Sequence, residues 1–256
     1  MYRSIYWKFA ALAAGSACVL WAQGPGGHEG RPGFGFGGGL GIASFLGKTV
    51  AGAPFSANLT TQFTHILANG NTISQQETAE VYRDNQGRVA INATITRPAS
   101  SGTQTVNTIT IDDPIAGYIY RLNPAKMTGV KTPIPQRTSA PPTGTRPTDP
   151  NVTTTTLPAS TINGVSATGT QVTRTIPAGT IGNAQAIQIV RVTWVSTALQ
   201  IPVQITVTDP RSGKETMNLT NIVQSEPSAS FFTVPSSYTI TTAQGRGPGP
   251  AFRRRQ

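Results

Sequence analysis

The 256-residue chain has little of the side-chain chemistry on which most enzymes depend. It contains one cysteine, two histidines and ten acidic residues, and aromatic residues make up 7% of it. A single thiol excludes an internal disulfide and a multi-thiolate metal site. The H-E-x-x-H, G-x-S-x-G and P-loop patterns are all missing. The sequence therefore predicts a protein that is not an enzyme and binds no metal or cofactor.

The N-terminus lacks a hydrophobic run long enough for a membrane helix. Residues 9–21 are uncharged and mostly apolar, and two basic residues and no acid precede them. A spanning helix needs about 20 apolar residues, so this run fits a cleavable signal peptide over residues 1–22 instead. The pattern predicts a bacterial, extracytoplasmic (periplasmic or secreted) protein that loses its only cysteine, Cys18, on cleavage. An uncleaved anchor and lipidation of Cys18 are the alternatives.

Composition divides the remainder of the chain. Glycine dominates residues 23–47, which predicts a flexible leader, and residues 244–256 have the composition of a basic disordered tail. Between them, residues 48–243 are predicted to form a single antiparallel β domain. Seven prolines and eight threonines fall within residues 133–158, which predicts a long loop inside that domain.

The positive charge is not arranged as a nucleic-acid-binding face. The chain carries a net charge of +10, but residues 48–243 contain 13 basic and nine acidic residues. The arginines are not clustered among aromatic residues, so no specific nucleic-acid binding is expected. Arg253, Arg254 and Arg255 predict a weak attraction of the tail to an anionic surface. A purely solubilising tail is an equal alternative.

Threonine and valine recur throughout the body, and turn signals follow every 8 to 13 residues, as in antiparallel all-β folds. Asn69-Gly70 and Asn163-Gly164 are strong hairpin signals, because both residue types tolerate positive φ. Asp84, Asp113 and Asp209 are expected to form turns. The predicted strands are 56–67, 72–83, 88–97, a strand ending at 112, 118–122, 127–131, 159–162, 165–176, 186–196 and 201–208.

Two strands carry information about the faces of the sheet. In residues 201–208, apolar side chains alternate with polar ones, which predicts one buried and one solvated face. Residues 186–196 are apolar on both faces, which predicts cover on both sides by a second sheet, a helix or a ligand. Pro202 indicates an edge strand or an unpaired stretch. We expect an apolar ligand-binding face lined by Phe63, Val190, Val192, Trp194, Val203 and Ile205, with a packed core as the alternative.

Four motifs in the second half of the chain resemble a group of uncharacterised bacterial secreted proteins. They are Trp194-Val195-Ser196, the segment from Leu199 to Val203, Leu219-Thr220-Asn221-Ile222, and the closing F-x-V-P-x-x-Y pattern that ends at Tyr238. The hairpin series and the closing motif are more distantly similar to the lipoprotein-carrier superfamily of LolA, LolB and RseB.

That resemblance implies a curved antiparallel sheet forming a half-barrel, with one or two short helices as a lid. A β-sandwich is the alternative fold. It also implies non-enzymatic binding of an apolar (lipid or acyl) ligand or of an envelope protein partner on the concave face. The alternative function is a structural or adhesive cell-envelope module. His65, the lone histidine of the body, is in phase with Phe63 and is expected to be a packing or rim residue.

Overall fold

A computed structural model describes residues 49–99, 102–134 and 149–243 of the chain. The predicted signal peptide (1–22), the leader (23–47) and the tail (244–256) lie outside the described residues. Cys18 and the arginines at 253–255 lie there too, so their predicted roles remain predictions.

The described residues form one open sheet of twelve strands, in the order β12-β6-β5-β4-β3-β2-β1-β11-β10-β9-β8-β7. Every neighbouring pair is antiparallel except β12 and β6, which are parallel. The predicted all-β, mainly antiparallel fold is confirmed. The strands are β1 (Phe55–Ile66), β2 (Thr72–Arg83), β3 (Val89–Ala99), β4 (Gly102–Asp113), β5 (Tyr118–Asn123), β6 (Thr128–Pro133), β7 (Val152–Ile162), β8 (Val165–Ile176), β9 (Ile187–Ser196), β10 (Pro202–Asp209), β11 (Gly213–Val223) and β12 (Thr239–Thr242).

Local turn chemistry fixes the register of the hairpins. Asn163 and Gly164 have φ values of 50° and 84°, which are the two positive angles of a type I′ turn between β7 and β8. At the β2–β3 turn, a carboxylate oxygen of Asp84 accepts the backbone N–H groups of Gln86 and Arg88 at 3.0 and 2.8 Å. The prediction that Asp84 forms a turn is therefore confirmed.

The main core lies on one face of the sheet, which we call the inner face. Leu219, Leu59, Ala79 and Ala93 stand directly opposite one another on β11, β1, β2 and β3, and all four are buried. Residues opposite each other in a ladder share a face, so this row packs as a unit. Each fully buried leucine in it contributes about 1.5–3 kcal/mol. The end of β8 and the turn before β10 complete the buried cluster with Val165, Ala167, Leu199 and Ile201, and the partly buried Trp194 packs against it. Ala167 stands opposite Ser196 on β9, so at this end of the sheet the cluster includes side chains of the other face.

A smaller core covers part of the opposite face, which we call the outer face. The chain after β11 forms a short 3-10 helix, Ala229–Phe232, that packs over β2 to β5. The ring of Phe231 stacks on Tyr82 with centroids 3.9 Å apart, and Phe232 is buried beside Ala90 and Ile111. The closing aromatic motif thus covers one end of the outer face. Within the described residues, this 3-10 turn is the whole of the helical structure.

The proline-rich loop is shorter than predicted. The sequence places it at residues 133–158, but β7 begins at Val152 and continues through four threonines. Threonine is β-branched and fits the pleated surface of a strand, so these residues extend the ladder. Pro158 lies where the β7–β8 register shifts, between Leu157 and Ser160. A proline without an N–H is tolerated at such a bulge.

Pro202 does not mark an edge strand. Strand β10 lies between β9 and β11, so the edge interpretation is wrong. Pro202 is the first residue of β10, and the β9–β10 register shifts between Pro202 and Gln204. The unpaired stretch, which was the other interpretation, accounts for the missing donor.

Candidate functional site

The six residues expected to line one apolar face are divided between the two faces of the sheet. Trp194 and Val192 stand opposite Gln204 and Thr206, whereas Ile205 stands opposite Thr193. Successive side chains of a strand alternate between faces, so Val190, Val192 and Trp194 lie on the outer face and Ile205 lies on the inner face. The β9–β10 ladder thus separates these side chains by strand face, while Trp194 also packs against the core cluster that contains Val203 and Ile205. The sequence pattern could not show this, because β9 is apolar on both faces.

The residues on the inner face belong to the packed core or lie beside it. Val203 and Ile205 are 0% exposed, and Ile205 stands opposite Met217, which is also 0% exposed. Side chains that are completely enclosed by protein cannot contact a ligand without rearrangement. Thr61 on β1 stands opposite Met217 and therefore faces inward. Phe63 lies two residues after Thr61 on the same strand, so it shares this face, and it is half-buried. Val203 and Ile205 therefore belong to the buried core cluster.

The residues on the outer face form a continuous half-buried strip. Val190, Val192 and Trp194 follow one another along β9, and each is partly exposed. Their cross-strand neighbours on β10 are Thr208, Thr206 and Gln204. The strip is thus apolar, uncharged and bordered by hydroxyl and amide side chains.

The apolar strip continues over Gly169 of β8 and reaches the edge strand β7. A Cβ atom at Gly169 would lie 2.7 Å from Cζ3 of Trp194 and 2.9 Å from Cβ of Leu157. The indole therefore lies over the glycine backbone and reaches the outermost strand. We call Leu157, Val190, Val192 and Trp194 the apolar stripe. The sequence reasoning missed Leu157 and Gly169, although a glycine inside a strand pattern signals a close approach of this kind.

Strand β7 is an open edge. It pairs with β8 on one side, and within the described residues no strand pairs with its other side. Residues 152–157 carry no charge, and Thr153 to Thr156 are exposed. Natural proteins usually protect a sheet edge with lysine, proline, a bulge or a short strand. Here the bulge and Pro158 protect only the far end of β7, so six uncharged residues remain available for backbone pairing.

Arg191 of β9 and Glu215 of β11 face away from the stripe, whereas Lys214 of β11 lies on the same face as the stripe, opposite Thr208. Arg191 stands opposite Val207 on the inner face, and its Nε donates to Oγ1 of Thr193 at 3.3 Å. Burial lowers the pKa of Arg191, and the nearby charge of Glu215 partly opposes that shift. The outer face of β9 itself carries no charged side chain, and Lys214 lies two strands away from Val190 on that face.

His65, Asp113 and Asp209 occupy strand and turn positions. His65 is half-buried on β1, opposite Ile73. One carboxylate oxygen of Asp113 accepts two turn amides, and Asp209 binds the backbone and guanidinium of Arg211, so both predicted turn roles are confirmed. In the described ranges, no group of three or more His, Cys, Asp or Glu side chains could hold a metal ion. Nor do these ranges contain a helix long and apolar enough to cross a membrane.

The sequence matches no protein-family profile and no curated protein. Solved structures with a similar fold include the Pseudomonas aeruginosa MucA/MucB complex, at 12% identity and a TM-score of 0.37, covering 76% of this chain and 62% of that chain. A putative outer-membrane lipoprotein-sorting protein domain from Vibrio parahaemolyticus has 9% identity and a TM-score of 0.28, with 70% and 88% covered. A DUF1329 family protein from Desulfovibrio piger has 10% identity and a TM-score of 0.28, with 72% and 90% covered.

These structures belong to the group that the sequence resemblance indicated, and at such identities the likeness concerns the fold alone. The chain spans about 62% of the length of the MucB-complex chain that it matches.

Proposed function

We propose that this protein is a non-enzymatic, extracytoplasmic binding protein that holds an extended segment of a protein partner along the open edge of β7. The observation that carries the proposal is the combination of an uncharged, unpaired edge with the apolar stripe that reaches it. Backbone pairing would supply affinity, and the stripe would select the side chains of the partner.

The edge favours a peptide over an acyl chain. Unpaired backbone N–H and C=O groups need hydrogen-bonding partners, and another peptide backbone supplies both in register. An acyl chain supplies neither. The inner face would suit an acyl chain better, but Val203 and Ile205 are already enclosed there.

The geometry also restricts the partner sequence. An added strand would lie about 4.8 Å beyond β7, and every second side chain would point to the outer face. On that face Thr155 and Leu157 are the nearest neighbours, with Trp194 behind Leu157 across Gly169. A partner segment of about six residues, uncharged and with one large apolar side chain opposite Leu157, fits this surface.

The test uses random decapeptides displayed on phage, selected on the immobilised mature protein. Selected peptides are then synthesised, and their dissociation constants are measured for the wild type and two variants. Thr155→Lys places a charge on the outer face of the edge strand, where it opposes strand addition. Gln76→Lys places the same charge on the same face of β2, an interior strand, and serves as the matched control.

We expect uncharged peptides that lose at least about tenfold in affinity with Thr155→Lys and little with Gln76→Lys. Hydrogen exchange of the β7 amides should slow in the complex. Equal losses in the two variants would exclude the edge as the site. Displacement of a bound fluorescent fatty acid from the wild type by unlabelled fatty acid at micromolar concentration would favour the apolar-ligand function over this one.

A further inference from the structure

A groove on the outer face, away from the apolar stripe, has a different chemistry. It crosses β11 and β1 to β4 and has a volume of about 630 Å³. Ligand pockets typically measure about 300–1,000 Å³, so this groove is large enough for a small polymer segment. Its polar lining includes Asn58, Thr60, Thr78, Asn92, Thr94 and Asn107.

The register arranges these side chains in two rows across the strands. In one row, Thr60, Thr78, Thr94 and Asn107 stand opposite one another on β1 to β4. In the other row, Asn58, Glu80, Asn92 and Ile109 do the same. Adjacent strands are about 4.8 Å apart, so the groove floor carries an amide or hydroxyl group at nearly every step.

The amides of the groove are open to a ligand. In the described part of the chain, the side chains of Asn58, Asn92 and Asn107 form no intramolecular hydrogen bond. By contrast, the amide of Gln204, outside the groove, donates to Oδ1 of Asn218 at 2.9 Å. Each asparagine amide offers two donors and an acceptor. Three such groups in one concave surface form a site that can donate hydrogen bonds to a ligand and accept hydrogen bonds from it.

The groove has almost no charge. Its one ionisable lining residue is Glu80, whose Oε2 accepts the hydroxyl of Tyr82 at 3.0 Å, and no lysine or arginine lines it. Burial, together with the hydrogen bond and charge of Glu80, raises the pKa of Tyr82 to about 12, so this donor keeps its proton at neutral pH. An anionic polymer would find no cation in the groove. Ile109 and Pro124 add apolar surface to its wall.

We infer that the groove binds a neutral oligosaccharide. A sugar ring presents hydroxyl groups that donate and accept, together with C–H faces that pack on apolar surface. The asparagine and threonine rows match the hydroxyls, and Ile109 and Pro124 match the C–H faces. An extended peptide also carries amides. It would pair better with the open edge of β7, where backbone groups are free to form a regular ladder, than with this groove, which presents side chains.

The experiment titrates ¹⁵N-labelled mature protein with cellohexaose, xylohexaose and maltohexaose, each up to about 10 mM, the weak end of measurable affinity. Dextran sulfate is the charged comparison. We expect at least one neutral hexasaccharide to shift amide resonances of β1 to β4 in the groove. Asn92→Ala and Asn107→Ala should each weaken that binding about five-fold, which corresponds to one net hydrogen bond.

Asn85→Ala removes the same amide from an exposed turn outside the groove and should leave binding unchanged. Circular dichroism melting curves confirm that each variant is folded. The inference is overturned if all three neutral sugars fail to bind. It is also overturned if dextran sulfate binds more tightly than they do, or if both groove variants bind as the wild type does. Thr155→Lys on β7 should not affect sugar binding, which separates this site from the proposed edge.

Discussion

Truncating Ile205 tests whether the inner face of the half-barrel is a packed core or a ligand-binding surface. Ile205 is 0% exposed and stands between Met217 on β11 and Thr193 on β9. Ile205→Ala removes three carbon atoms from this position. Neighbouring strands hold the backbone in register, so the surrounding side chains can collapse only in part.

The expected loss follows from the burial. Substitutions of this kind in closed cores cost about 2–5 kcal/mol, and complete burial places Ile205→Ala near about 3.5 kcal/mol. Val192→Ala provides the comparison, because Val192 is half-buried on the outer face of the adjacent strand. It removes two carbon atoms, worth about 1.6 kcal/mol when fully buried and about 0.8 kcal/mol here.

Urea unfolding, followed by circular dichroism, measures both losses. For a domain of this size, the free energy of unfolding is expected to fall by about 3 kcal/mol per molar urea. Ile205→Ala should therefore lower the urea concentration at the unfolding midpoint by about 1 M, and Val192→Ala should lower it by about 0.3 M. A shift for Ile205→Ala as small as that for Val192→Ala, at an unchanged slope, would refute the closed inner core. The apolar-ligand function would then become the better explanation for the inner face.

Three further predictions concern single contacts. Gly169→Ala should lower the free energy of unfolding by about 1–3 kcal/mol, because the new Cβ meets the indole of Trp194, and adding Trp194→Leu to that variant should recover part of the loss in urea unfolding. Gly164→Ala should cost about 1 kcal/mol in the same assay, because residue 164 has a φ of +84°; an unchanged midpoint would contradict the type I′ turn. The side-chain hydrogen bond from Arg211 is the main cause that lowers the pKa of Asp209. The ionised carboxylate therefore stabilises the fold at pH values above its ordinary pKa of 3.8, and this stabilisation is lost as the pH falls through the lowered pKa of the folded state. The stability difference between the wild type and Asp209→Asn, measured by urea unfolding from about pH 5 to pH 2, should therefore shrink towards the acid end.

Local signals were enough to predict most of the strands. The predicted ranges 72–83 and 165–176 coincide with β2 and β8, and most others differ by one or two residues at an end. These strands are bounded by turns whose residues must adopt special backbone angles, such as Asn163 and Gly164. Asp84, Asp113 and Asp209 act in the same way, because each accepts amides of its own turn. Such constraints act within a few residues and can be read from a sequence.

The order of the strands could not be predicted in this way. Strand β1 pairs with β11, which lies more than 140 residues further along the chain, and β12 adds to β6 in parallel. No turn links these strands, so only the fit between their buried faces determines the pairing. The strand at 152–157 was missed for another reason. Prolines on both sides of it outweighed four threonines in the sequence reasoning, although Pro158 lies at a bulge.

The error in the predicted binding face has a specific physical origin. A strand that is apolar on both sides does not indicate which side meets the core, and the register shift between Pro202 and Gln204 changes how β9 and β10 align. The ladder places Val190, Val192 and Trp194 on one face of β9 and Ile205 on the other face of the sheet, and Trp194 still packs against the core cluster that contains Ile205. A one-residue change of register moves every side chain to the other face, so a small error of this kind decides which residues are accessible.

The packed cores on the two faces of the sheet limit which parts of its surface can bind a ligand. The main core occupies the inner face of β1 to β3, β10 and β11, and a pocket of about 480 Å³ lies on the same face across β4 to β6. The closing aromatic motif occupies one end of the outer face around Tyr82. Among the described residues, the outer face carries the two surfaces proposed as sites: the apolar stripe beside the β7 edge, and the groove across β1 to β4, whose one ionisable lining residue is Glu80. They differ in chemistry, since one offers backbone pairing next to Trp194 and the other offers amides and hydroxyls. If both proposals are correct, a peptide and a sugar should bind at once, and saturating one site should leave the affinity of the other within about a factor of two, because no described side chain is shared between them.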